Sequence, residues 1–182
     1  MPGHEPDKIR KALASSADVV IIDWEDAVPL EQKPEARTRT QEVLVQTQTA
    51  CRVTIRVNGP RSPWLADDLS LLKDLPVSAI IAPKIEQPAE VHALATARVP
   101  IIPLIESGLG VEQAFAIASA HPLVERLTLG PLDFLADLQA HWTPEGQALF
   151  YARSRLLVAG RAAGLCKALK YLNGDLNLLS LL

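Results

Sequence analysis

Cysteine is scarce in this chain of 182 residues: only Cys51 and Cys166 are present, with no CxxC partner and no paired spacing. That excludes a disulfide framework and fits small buried thiols in a reducing cytosol. No apolar stretch approaches the roughly 18 residues that a spanning helix needs. Basic runs are absent too, and the net charge is −3, which excludes nucleic acid and an anionic membrane as expected partners. The opening MPGHEPDK has neither a basic nor an apolar leader region, so no secretory signal is expected and the chain reads as soluble and cytoplasmic. There is no G-x-S-x-G, no P-loop and no GxGxxG after a strand. The four histidines, His4, His92, His121 and His141, lack metal-ligand spacing, and no lysine or cysteine stands out as a nucleophile.

What is present is a rhythm. Five short apolar runs, VVIID (19–23), VTIRVN (53–58), AIIAPK (79–84), IIPLIE (101–106) and RLTLGPLD (126–133), each run into charge. Their intervals of about 20–35 residues fit one strand and one helix apiece, the period of a parallel βα repeat. Asp23, Arg56, Lys84, Glu106 and Asp133 then fall at strand C-terminal ends, the rim where a (β/α) barrel does its chemistry. A hydrophobic content of 48% with 21% charged residues is ordinary for a single α/β domain. An eight-unit barrel typically needs about 250 residues, so the spacing predicts an incomplete one. Near-continuous apolarity along each run predicts strands covered on both faces.

Helical patterns fill the gaps. Pro6 opens the first, with Ile9, Ala12 and Leu13 on one face; the stretch from Glu31 to Gln48 is weak, anchored only by Ala36, Val43 and Leu44. Leu65, Leu69, Leu72 and Leu75 form a clean stripe, Pro88 starts another segment, and Val111 to Ala120 supplies the next. The longest is expected to start with Thr143 as N-cap and Pro144 at N1 and to stop at Gly164. The first helix has only Met1-Pro2-Gly3 where a strand belongs, and the tail from Cys166 shows no strand-then-charge signature.

Several side chains could carry chemistry. Asp23, Glu25 and Asp26 crowd the end of a buried strand, which calls for a cation, a basic partner or water, or else marks an acidic loop that caps a helix. Arg56 interrupts a strand, and its guanidinium could grip a substrate carboxylate in a fork or pair with that acidic cluster. Lys84 and Glu86 read as ion-paired. Glu106 and Asp133 close adjacent units, and two carboxylates plus waters are what Mg²⁺ asks of a protein; isolated helix capping is the other reading. Gly108 and Gly110 would let backbone come close to a ligand. His4 is the one histidine near the expected rim.

In this order, PGHEPDKIRKAL, ADVVIIDWEDAV, TIRVNGP, IIAPKIE, PLIESGLGV and LTLGPLDFLADL resemble the citrate lyase beta-subunit-like group of the HpcH/HpaI aldolase superfamily over about residues 2–165. The resemblance implies a parallel (β/α) TIM-barrel fold, of which this chain holds about strands two to six of eight, followed by a divergent tail over 166–182. It implies Mg²⁺ on Glu106 and Asp133, a substrate-carboxylate role for Arg56, substrate contact at Glu106, and a catalytic acidic pair in Glu25 and Asp26. The implied activity is carbon–carbon cleavage of a 3-hydroxyacyl-CoA such as citryl-, malyl- or citramalyl-CoA. A 2-keto-acid aldolase without CoA and a non-catalytic fragment are the alternatives. Complete relatives are expected to be homo-oligomers. With the family's first strand, last strands and C-terminal carboxylate lacking a counterpart, weak or absent turnover is the expectation for this chain.

Overall fold

A computed structural model describes residues 1–165; the expected tail over 166–182 lies outside the described residues. Five parallel strands make one sheet in sequence order: β1 (Val19–Asp23), β2 (Arg52–Arg56), β3 (Ala79–Ala82), β4 (Ile101–Ile105) and β5 (Thr128–Leu129). Between and around them run α1 (Pro6–Leu13), α2 (Lys33–Gln46), α3 (Leu65–Leu72), α4 (Pro88–Leu94), α5 (Gly108–Glu112), α6 (Ala114–Ala118), α7 (Pro131–Asp137) and α8 (Phe150–Ala162). Ahead of α1, Asp23 N donates to Met1 O at 2.7 Å and Gly3 N to Asp23 O at 2.8 Å, so Met1–Gly3 lies parallel to β1 as a strand-to-helix loop. No described helix is long and apolar enough to cross a membrane.

The register divides the sheet into two faces. Val20, Ile22, Val53, Ile55, Ile80, Ile101 and Ile105 join one apolar core with helix residues such as Ile9, Leu13, Leu69, Leu72 and Val91. The opposite face carries Val19 beside Arg52, Ile21 beside Thr54, Asp23 beside Arg56, and Arg56 beside Ile81. Here the sheet departs from expectation: Val19 and Ile21 are 47% and 37% exposed, so β1 is covered on one face only. The sheet also curls. Arg52 on β2 donates to Glu125 Oε1 at 2.9 Å and pairs with Oε2, and Glu125 itself lies beside Ile101 of β4. On a flat sheet three strand spacings would separate these backbones by about 14 Å; curvature toward this inner face shortens the chord until the side chains meet.

Three elements differ from the pattern reading. The segment read as weak is the regular 14-residue α2, because its buried stripe of Lys33, Ala36, Arg37, Thr40, Val43 and Leu44 keeps helical spacing while half of it is polar. The long helix begins at Phe150, not Pro144, since Gly146 at φ 60° closes a turn on Thr143 and breaks the helical path; Gly164 at φ 79° does end it. The run from Val111 to Ala120 splits into α5 and α6, which begins at Ala114. Cys51 is half-buried rather than buried and bonds Thr49.

The polar stripe of α2 has buried partners. Arg37 donates to Asp68 Oδ1 at 2.9 Å, and Asp68 Oδ2 accepts from Asn58 N and Asn58 Nδ2, both at 2.8 Å. Asp68 is fully buried. Removing it leaves the Asn58 backbone N–H without an acceptor and the buried Arg37 with only the exposed Asp67, at 3.1 Å, so Asp68→Ala is expected to cost about 3–5 kcal/mol in urea denaturation. Val45→Ala, at a position 71% exposed, is expected to stay within about 0.5 kcal/mol of the parent.

Candidate functional site

Every strand ends at the same rim because all five run parallel. At the end of β1 the chain must place Trp24 outward and its acidic neighbours inward. Trp24 is fully buried, donates from Nε1 to Thr40 Oγ1 at 2.9 Å, and packs so closely on Gly3 that a Cβ there would stand 2.6 Å from its Cδ1. Lys33 Nζ donates to the carbonyls of Trp24 and Glu25 at 3.0 and 3.1 Å, and Asn58 Nδ2 to Trp24 O at 3.1 Å. Burial holds the Lys33 ammonium below its ordinary value against the pull of the surrounding carboxylates, Glu25 first among them. These main-chain bonds fix the acidic loop without drawing on the Glu25 and Asp26 carboxylates.

Asp23 faces inward and meets Arg56 directly across β1 and β2. Its Oδ1 accepts from Arg56 Nε at 2.9 Å and from Glu25 N at 2.8 Å; its Oδ2 accepts from Arg56 Nη2 and from Ala27 N at 3.2 Å. Burial alone would raise this carboxyl, yet the guanidinium and the two backbone donors outweigh it and hold it below its ordinary value. Arg56 is raised in turn: burial opposes the charge, and the bonds to Asp23 overcome it. Its remaining edge, Nη1, lies 3.4 Å from Glu25 Oε2 and 3.5 Å from Asp26 Oδ2. Of the two readings open for Arg56, pairing with the acidic cluster is what the structure displays.

Glu25 is buried and Asp26 half-exposed at its side chain. Lys84 Nζ donates to Glu25 Oε1 at 2.5 Å and stands 3.6 Å from Asp26 Oδ1. Burial raises the Glu25 carboxyl despite the lysine. Lys84 and Glu86 are both ion-paired as expected, though not to each other: Glu86 takes Arg61 at 2.8 Å.

Glu106 follows β4 and keeps 7% exposure. Its Oε2 accepts from Lys84 N at 2.8 Å, and Gly130 makes room for it, since a Cβ at Gly130 would collide with the Glu106 carboxylate. Behind it, Ser107 caps α5 by accepting from Gly110 N at 3.1 Å, while Gly108 N donates to Asp137 Oδ2 at 2.8 Å. Gly110 fits only as glycine, with Ile85 O 2.8 Å from where its Cβ would be. Asp133 does not close a strand. The strand stops at Leu129 and Pro131 opens α7, which puts Asp133 in the first turn of that helix.

Asp26, Lys84, Glu106 and Asp133 line one open cleft of about 390 Å³, together with Arg61, Glu86, Ser107 and Asp137. Five carboxylates face two cations there, a balance that attracts a further cation. Arg56 and Glu25 are not part of this lining and adjoin it through Asp26 and Lys84. Among the described residues no set of three or more His, Cys, Asp or Glu side chains is arranged to hold a metal. Glu106 and Asp133 supply two carboxylates, and that donor set suits Mg²⁺, which keeps several waters of its own. His4 is half-buried with its Nδ1 lacking a hydrogen-bond partner, and His121 Nδ1 caps Leu123 N at 3.1 Å. Pattern reading missed Ser107, Arg61, Asp137, Lys33 and Asn58. Ser107 ahead of Gly108 carries an N-cap signal, and Asn58 closes a flagged run; Arg61 and Asp137 meet partners 25 and 29 residues away, and Lys33 binds main-chain carbonyls, which no side-chain pattern announces.

Glu106 is the group with most to say about pH. Burial pushes its carboxyl from an ordinary 4.5 to about 7; the Asp133 and Glu25 charges add to this, and the Lys84 N–H opposes it. A group that holds its proton more tightly folded than unfolded stabilises the fold at low pH, and that contribution is lost as pH rises through the folded value. In metal-free buffer, wild type is expected to lose melting temperature relative to Glu106→Gln as pH rises from 4.5 to about 7. A gap that stays constant over this range contradicts the assignment.

Comparison with known proteins agrees with this geometry. A profile of the family described as HpcH/HpaI aldolase/citrate lyase matches residues 1–180. The citrate lyase subunit beta of Leuconostoc mesenteroides subsp. cremoris is 31% identical over 179 residues, covering 91% of this chain and 59% of that protein. The citrate lyase subunit beta-like protein of Deinococcus radiodurans is 36% identical over 174 residues, covering 90% and 61%. The chain thus spans about three fifths of the length of these relatives. A solved structure of the protein CitE from Mycobacterium tuberculosis, in complex with magnesium, acetoacetate and coenzyme A, superposes with a TM-score of 0.78 at 31% identity, covering 90% of this chain and 61% of that one. With five parallel strands curled about an acidic rim and a family match over nearly its whole length, the chain belongs to the HpcH/HpaI aldolase/citrate lyase family.

Proposed function

We propose that this chain carries the site of a Mg²⁺-dependent carbon–carbon lyase of the citrate lyase beta-subunit type, which cleaves a 3-hydroxyacyl-CoA such as citryl-, malyl- or citramalyl-CoA. The observation that carries the reading is the meeting of Glu106 and Asp133 in one acidic cleft. The similarity to a protein solved with magnesium, acetoacetate and coenzyme A supports it. Glu106 and Asp133 would hold the metal. When bound, the ion supplies Lewis acidity at the substrate's carboxylate and hydroxyl oxygens.

The chain's own groups do the rest. Arg56 offers the substrate carboxylate its Nη1 edge, and Asp26, half-exposed and only 3.5 Å away, is the partner that the incoming carboxylate displaces. Asp23 keeps the other edge of the guanidinium, so the cation meets substrate already oriented. Glu25 Oε2 is buried without a hydrogen-bond partner, and burial gives this carboxylate a raised proton affinity. In this reading it receives the hydroxyl proton as the carbon–carbon bond breaks, the electron pair of that bond passing to the departing thioester enolate. Glu106 contacts substrate as well as metal in this reading.

Since the chain spans 59% and 61% of two relatives, metal binding and turnover are tested apart. Calorimetric titration with Mg²⁺ is expected to show binding that Glu106→Ala and Asp133→Ala each weaken at least about tenfold, as befits loss of one of two carboxylate ligands. Unchanged binding in both variants refutes the site. For the reaction, malyl-CoA and citramalyl-CoA are assayed beside free malate and citramalate with Mg²⁺. Cleavage confined to the thioesters supports the lyase, and preference for the free acids points to a CoA-independent aldolase.

A further inference from the structure

Large apolar side chains lie bare along one seam on the helical side of the sheet, where α8 runs beside α5 and α6. Gln113 carries the helical path from α5 into α6, donating to Leu109 O at 3.0 Å and accepting from Ile117 N at 2.9 Å. Leu109, Glu112 and Phe115 therefore recur at three-residue spacing, and all three are exposed. On α8, Tyr151, Arg155 and Val158 recur at spacings of four and three. Two bonds hold the rows side by side: Tyr151 Oη donates to Glu112 Oε1 at 2.8 Å, and Arg155 Nη2 to Glu112 O at 3.3 Å. Leu138, at the end of α7, adjoins the same rows, since a Cβ on Gly108 would stand 3.5 Å from its Cδ2. Leu109, Phe115, Leu138, Tyr151 and Val158 are each between 45% and 61% exposed.

Exposed apolar groups dispersed singly need no account, whereas five along one seam do. Each shows about half of the roughly 200 Å² that a large side chain presents, which together makes roughly 500 Å² of apolar surface. One side of a standard protein interface is about 800 Å², of which about three fifths is apolar. The seam has the size of one such side. Nor is it the flank along which further barrel units would pack. The buried stripe of α8 is Ala152, Leu156, Ala159 and Gly160. Seen down the helix, Tyr151, Arg155 and Val158 lie to one side of that stripe, and Phe150, Arg153 and Leu157 to the other. Because the strands follow one another in sequence order, a next unit meets the second flank and leaves the first bare.

The charges inside the seam select the occupant. Arg155 bonds the main-chain oxygen of Glu112 and not its carboxylate, so among the described residues neither group has an ion pair. One acid and one base leave the patch neutral, which favours neither an acidic nor a basic partner. They suit a copy of the same surface. A two-fold axis through the seam sets Glu112 of each chain against Arg155 of the other and brings the apolar rows together. We infer that the seam between α5–α6 and α8 is a two-fold interface between two copies of this chain, closed by those two ion pairs. This goes beyond the proposed lyase activity and does not depend on it.

Sedimentation velocity on the whole chain is expected to show a monomer–dimer equilibrium between about 1 and 100 µM, a range in which a standard-sized interface is populated. Val158→Glu is expected to weaken the dimer at least about tenfold, while Val45→Glu, exposed on α2, leaves it unchanged. The charges supply the sharper arm. Glu112→Lys and Arg155→Glu each set like charges together twice across the axis, so each alone is expected to weaken the dimer at least about tenfold. Mixed in equal amounts, these two variants are expected to form a heterodimer, because every pairing across the axis is again of opposite sign. If either reversal does not melt cooperatively, the comparison of Val158→Glu with Val45→Glu decides. A wild-type chain that stays monomeric throughout overturns the interface. So does an equal effect of Val158→Glu and Val45→Glu, an assembly indifferent to the reversals, or a pair of reversals that does not recombine.

Discussion

Carboxylate charge drawn out of water governs the rim of this sheet. Asp23, Glu25 and Glu106 retain 6%, 6% and 7% of their exposure, and an unanswered ionised group at such depth costs several kcal/mol. Each is answered in a different way. Asp23 receives a guanidinium in a two-point grip and is pinned in its ionised form. Glu25 receives an ammonium at one oxygen only. Glu106 receives one backbone N–H, and its charge remains the least compensated of the three, which its proton affinity registers. The gradient from full to minimal neutralisation runs from β1 toward β4 and ends at the open cleft.

That gradient depends on a division of labour around Trp24. The indole plugs the helical side of the sheet, and the chain's next turn is tied down by Lys33 and Asn58 through main-chain carbonyls and by Asp23 through the N–H groups of Glu25 and Ala27. Asn58 in turn shares Asp68 with Arg37. A polar network on one side of the backbone thus stiffens a loop whose functional atoms point to the other. Holding at the Trp24 and Glu25 carbonyls spares the Glu25 and Asp26 carboxylates for the rim, while Asp23 gives both its oxygens to backbone N–H groups and Arg56.

Much of this was legible in the residues themselves. Strands covered by helices must be apolar along their length, so VVIID, VTIRVN, AIIAPK and IIPLIE announce themselves, and parallel pairing then dictates that Asp23, Arg56, Lys84 and Glu106 share one rim. The fifth run misled because Pro131 fits a first helical turn as readily as a strand end, and the helix won. Helix α2 misled for the opposite reason: its buried stripe keeps helical spacing in lysine, arginine and threonine, whose partners are Trp24, Asp68 and Gly3. Hydrophobic periodicity cannot register a stripe that is buried by hydrogen bonds. Nor can pattern reveal that Arg56 is already occupied by Asp23, since the pairing follows from a register only the assembled sheet defines.

The bridge from Arg52 to Glu125 closes a loop of 73 residues. The two backbones come within reach only after β3 and β4 have docked between them and the sheet has bent. A contact of such sequence separation carries a large loop-closure entropy, which the nearer strand pairings offset. Curvature is therefore secured by a contact that spans the sheet: Arg52 on β2 reaches past β3 and β4 to the segment ahead of β5. Asp133, carried on the helix after β5, takes its place beside Glu106 from the pairing of β5 with β4 and from Gly130 N donating to Ile105 O at 2.9 Å. The two halves of the cleft are thus joined by neighbouring strands, while the bridge sets the bend of the sheet that carries them.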